Sequence, residues 1–155
     1  DVYKRQVDSA DSFEDKLKKY FEVMVHFYIA NSTLWQIICF EMLGGNNGCR
    51  VEPDGDNFKV ISRYNSVKVS EETSERILRY HKILHDEYDI LAQLITKAMQ
   101  DNLLKEDTVP EITTKFVFFG VAMSIFNQSD DIAADMTDEE AARIITDHFL
   151  RGNAR

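Results

Sequence analysis

An all-α fold of about five helices is what this sequence predicts, and three observations carry that expectation. Apolar residues recur with helical period through four long windows. Two Thr-x-x-Glu signatures, Thr108 with Glu111 and Thr137 with Glu140, have the spacing of a capping box. Glycines stand where two of the periodic windows stop, at Gly44–Gly45 and at Gly152. The chain has 155 residues, 44% of them hydrophobic, which suits one domain with a real core.

The first helix is expected from the caps Ser9, Asp11 or Ser12 to about Ala30. Phe13, Leu17, Tyr20, Phe21, Met24, Phe27 and Tyr28 keep its period, with Glu14, Asp15, Lys18, Lys19 and Glu22 on the wet side. Asn31 and Ser32 break it. A second helix, Thr33 to Leu43, carries Trp35, Ile38, Cys39 and Met42. Residues 44–69 are the irregular part, with a turn signal at Pro53 to Asp56. A short hairpin and an ordered loop are both open there. Ser70, Glu71 and Glu72 start the longest helix, expected to reach about Leu104. Its stripe is Ile77, His81, Leu84, Tyr88, Leu91, Ile95 and Ala98. Residues 1–8, opening with DVYKRQ, are set aside as a scar or a disordered lead-in, and the domain is taken as 9–152.

Thr108 to Gln128 is the stretch around which the rest is organised. Pro110 sits in its first turn, and from Phe116 to Phe126 only Ser124 interrupts apolar and small residues. Phe116, Phe119, Met123 and Phe126 make one large face; Val117, Gly120, Val121 and Ser124 make a small-residue face. A helix apolar all round is buried or spans a membrane, and this run is far below the roughly 20 residues a bilayer requires. One face is therefore assigned to the protomer's core and the other to a partner; a helix wrapped wholly by its own chain is the alternative. The last helix follows Thr137 and presents Ala141, Ile144, Ile145, His148 and Phe149 on one side.

A formal charge of −9 argues against a nucleic-acid surface. Two cysteines, Cys39 and Cys49, are too few for a disulfide framework, so a cytoplasmic location is expected. No signal segment or membrane span is present in the sequence. His81 and His85 have the i, i+4 spacing that lets two imidazoles share a metal, but the sequence places no third ligand. Polar residues at the edge of a core are the plainer reading, so no metal and no other cofactor are expected. No phosphate loop, nucleophile elbow or di-iron Glu-x-x-His pair occurs, which argues against an enzyme.

The order and texture of these segments resemble the C-terminal ligand-binding and dimerisation domain of TetR-family (tetracycline-repressor-like) transcriptional regulators. The residues that carry the resemblance are DKLKKYFEVMVHFYIANSTLWQIICFEML near the start, FVFFGVAMSIF as a Gly-containing penultimate helix, and MTDEEAARIITDHFLRG as the final one. The resemblance implies a homodimer in which the last two helices form a four-helix contact through Val117, Gly120, Val121, Ser124, Ile144, Ile145, His148 and Phe149. It also implies a cavity for a small apolar or aromatic effector, lined by Met24, Phe27, Trp35, Cys39, His81, Tyr88, Phe119 and Met123. The family's N-terminal helix-turn-helix is missing from this sequence, so DNA is a partner only through such a domain. A helical protein-interaction module with a packed core and no ligand is the competing expectation.

Overall fold

The structure, a computed structural model, describes residues 12–33, 49–62, 68–127 and 136–155. In these residues the chain forms α1 (Phe13–Ala30), a hairpin of β1 (Cys49–Asp54) and β2 (Asn57–Ser62), α2 (Glu71–Gln100), α3 (Pro110–Asn127) and α4 (Asp138–Asn153). The mostly helical character matches the all-α expectation, with a small two-stranded sheet added. The expected helix from Thr33 to Leu43 lies outside the described residues beyond its first position. Among the described residues no helix is long and apolar enough to cross a membrane. The described residues form two compact units: those up to Ser32 together with Tyr88–Arg155, and those within Thr33–Glu87.

In the first unit, Ser12 caps α1 by accepting the Asp15 N–H at 3.1 Å, and so is the cap used among the candidates the sequence offers. Asn31 ends the helix, its backbone N–H and side-chain Nδ2 both donating to the Phe27 carbonyl. Leu17, Tyr20, Phe21, Met24, Val25 and Tyr28 form the buried face of α1, while Phe27 is only half-buried. That face packs chiefly against α4, whose inward residues are Ala142, Thr146 and Phe149 at i, i+4 and i+7. The Phe13 and Phe149 rings meet edge to face at 6.4 Å. Around this apolar seam, Lys18 pairs with Glu139 at 3.0 Å and His26 Nδ1 lies 2.8 Å from Asp138 Oδ2.

The two Thr-x-x-Glu signatures part company. Thr137 and Glu140 form the complete reciprocal capping box at the start of α4. Thr108 cannot do the same for α3, because the helix begins at Pro110 and Val109 takes the cap position. Proline favours the first helical position and holds the residue before it in extended backbone, so the cap falls one residue past Thr108. The long helix α2 ends at Gln100, earlier than the expected Leu104, in a left-handed turn. Asn102 has φ +57°, the Leu103 N–H donates to the Ala98 carbonyl, and the Asn102 N–H donates to Met99. This is the Schellman pattern with asparagine where glycine is commonest.

Beyond that turn, residues 103–106 meet the last residues of the sequence. Leu104 and Ala154 form an antiparallel bridge; the Lys105 N–H donates to Asn153 O at 2.8 Å and the Arg155 N–H to Leu103 O at 3.2 Å. Lys105 Nζ donates to Gly152 O and Arg155 pairs with Glu106, both at 2.7 Å. The far end of α4 is thus tied to the connection that precedes α3.

In the second unit the open choice between hairpin and loop resolves as a hairpin. The antiparallel register runs from Cys49 opposite Ser62 to Asp54 opposite Asn57, leaving Gly55 and Asp56 as the turn. Gly55 has φ +64°, the first-position geometry that two-residue hairpin turns reserve for glycine. Pro53 is tolerated in β1 because a two-stranded sheet is all edge.

Candidate functional site

The first unit carries an apolar groove of about 550 Å³ whose walls are α3 and α4. Its floor includes Val25, nearly fully buried, and Ile29 of α1 borders it. All eight residues named from sequence as a dimer contact line this groove: Val117, Gly120, Val121 and Ser124 from α3, and Ile144, Ile145, His148 and Phe149 from α4. The helical period places them so. On α3 they follow i, i+3, i+4, i+7, and on α4 i, i+1, i+4, i+5, which makes two facing stripes.

Polar groups in the groove are turned toward their own helices. Ser124 Oγ donates to the Gly120 carbonyl at 2.7 Å, His148 Nδ1 lies 2.8 Å from the Ile144 carbonyl, and Asn153 Nδ2 donates to Phe149 O at 2.9 Å. What remains presented is mainly hydrocarbon. A Cβ built at Gly120 meets nothing within 4 Å, so no neighbour within the chain requires glycine there. Glycine inside a helix costs roughly 0.5–1 kcal/mol relative to alanine.

The faces of α3 differ from their sequence assignment. Its buried stripe is Thr114, Phe118 and Ala122, with Thr114 Oγ1 donating to the Pro110 carbonyl. Phe118 belongs to neither stripe read from sequence, because that reading grouped residues by size. The helix packs through one large ring flanked by two small residues. Phe116, assigned to the large face, is 77% exposed at the groove edge, and Phe119 is 41% exposed. Val109 and Ile112 continue the exposed line at i−7 and i−4 from Phe116. The side chain of Phe126 lies outside what the structure describes.

The residues expected to hold an effector are distributed as follows. In the first unit, Met24 is fully buried in the α1 face, while Phe27 and Met123 are half-buried. Tyr88 meets Phe118 edge to face at 5.7 Å, and Phe118 meets Phe119 at 5.3 Å, so three aromatic rings form a ladder. Burial, and then the negative charges of Glu111 and Asp89, push the Tyr88 phenol above its ordinary pKa. His81 lies in the second unit, where its ring meets Phe58 of β2 at 4.5 Å with the planes inclined by 54°. Burial, then the neighbouring His85, hold the His81 imidazole below the usual histidine range. Trp35 and Cys39 lie outside the described residues.

Sequence reasoning missed Phe118, Val25 and the groove-edge residues Ile29, Met136 and Asn153. Val25 was legible as the i+4 neighbour of Phe21; the others depend on which helices adjoin. No protein-family model, no curated protein and no solved structure matches this chain.

Proposed function

We propose that this chain is the homodimerising, small-molecule-responsive module of a transcriptional regulator, pairing through the α3–α4 groove. The observation that supports this reading is the coincidence of the eight residues with one apolar concavity edged by the exposed Phe116. Contiguous exposed apolar surface of this kind marks interaction sites. A two-fold pairing of α3 and α4 with their copies gives a self-complementary four-helix contact, in which Gly120 lets backbones approach. The charge of −9 speaks against operator contact by this chain's own surface.

The effector part of the reading draws on the half-buried Phe27, Tyr88 and Met123, soft and aromatic surfaces that suit an apolar guest. A guest signals only through different affinities for two dimer geometries. Sedimentation equilibrium of the purified chain at tens of micromolar should give a dimer; a monomer there refutes the interface. Thermal melts against a hydrophobic compound library, on protein first stripped and checked by mass spectrometry, should show binders that raise Tm. The second reading, an interaction module with a packed core, is favoured by Met24 being wholly buried among Leu17, Tyr20, Phe21 and Tyr28. A dimer with no thermal shift from any compound selects it.

A further inference from the structure

We propose that His81 and His85 form a binding site for a borderline divalent cation of the zinc and copper class, covered on one side by the hairpin residue Phe58. The two histidines stand one turn apart on α2, inside the second unit. Their ring centroids are 6.0 Å apart with planes inclined by 34°. An imidazole bound through nitrogen at about 2.0–2.1 Å puts its centroid roughly 3.2 Å from the metal, so two rings on one ion are at most about 6.4 Å apart. A separation of 6.0 Å lies inside that limit. A tetrahedral ligand angle corresponds to roughly 5.2 Å between centroids, which a sub-ångström closure of the side chains supplies.

A second observation points to the same place. His81 Nδ1 is buried and has no hydrogen-bond partner, a costly state for a ring nitrogen that a bound cation would relieve. Phe58 packs on both rings, at 4.5 Å from His81 and 5.5 Å from His85, and shields them from water on that side. Among the described residues no third histidine, cysteine or carboxylate completes a ligand set. The two imidazoles leave coordination positions that water or an external donor can take. Imidazole donors favour zinc and copper over magnesium, which takes oxygen ligands.

The test titrates the EDTA-stripped full chain with Zn(II), Cu(II) and Mg(II) by calorimetry, with NMR of the histidine ring protons as a second readout. One equivalent of Zn(II) or Cu(II) should bind, Zn(II) shifting and paramagnetic Cu(II) broadening the His81 and His85 ring signals, with neither effect from Mg(II). His85→Gln, at an exposed position, should weaken binding by at least about tenfold, and His81→Gln by as much or more. A Cys39→Ser, Cys49→Ser double variant should bind as the parent does. Circular dichroism checks each fold; should His81→Gln not fold, His85→Gln carries the decision alone. Full affinity in His85→Gln, loss of binding in the cysteine variant, or no uptake at hundreds of micromolar metal overturns the site.

Discussion

Gly120 offers a test with two opposite signs. Its helix is intact on both sides, its surroundings within the chain are empty to 4 Å, and it sits in the wall of the groove. Replacing it by alanine adds a methyl to open space and removes glycine's backbone entropy cost. The isolated protomer should therefore gain roughly 0.5–1 kcal/mol. In a two-fold pair the same position meets the partner twice. Gly120→Leu should exclude the close approach, and a cost of about 1.4 kcal/mol per copy raises the dimer Kd about hundredfold. Gly120→Arg should leave monomers. Urea titration at high dilution reads the first effect, and sedimentation velocity over a concentration series reads the second. Should the leucine and arginine variants associate as tightly as the parent, the groove is not the pairing surface. Should alanine destabilise the dilute protein, glycine serves the protomer itself and the premise fails.

Three further outcomes follow from the packing. Thr146 Oγ1 is buried without a partner, so Thr146→Val, nearly the same shape, should raise stability by about 1 kcal/mol in urea melts. Asn102 holds φ +57° at the end of α2, and Asn102→Gly should stabilise by roughly 0.5–1 kcal/mol; a loss would show that the asparagine side chain has its own role. Tyr88 keeps its proton longer folded than unfolded. The stability it contributes is complete below about pH 10 and is lost as pH rises through its raised folded value. Tyr88→Phe should flatten that alkaline decline in denaturant midpoint while an ultraviolet titration loses one late-titrating tyrosine.

The helices were legible because burial and period agree: Leu17, Tyr20, Phe21, Met24 and Tyr28 of α1 and Ile77, Leu91, Ile95 and Ala98 of α2 are buried as their spacing indicates. The groove residues were legible for the same reason, since apolar surface beyond one stripe on a helix needs a second place to go. Other features depended on contacts that spacing does not encode. Tyr80 and Glu87 are buried off the α2 stripe, and Phe118 faces inward because it meets Tyr88, not because of its neighbours in sequence. Thr108 misled because a local signature was read without the proline two residues on. The hairpin at 49–62 was ambiguous because its strands are short and half wet. It is Gly55 in the turn that decides for it.

The ties at the two ends of α4 make that helix a beam supported at both ends. Asp138 and Glu139 are fastened to His26 and Lys18 at one end, and Asn153 to Arg155 to Leu103–Glu106 at the other. A surface pressed into the groove finds the α4 wall stiff along its whole span. Accommodation then falls on the opposite wall, where the exposed Phe116 changes rotamer at little cost because solvent is its main neighbour. The groove should therefore behave like a vice with one fixed jaw. Shape selectivity is set by Ile144, Ile145 and Phe149, and tolerance by the Phe116 ring across from them.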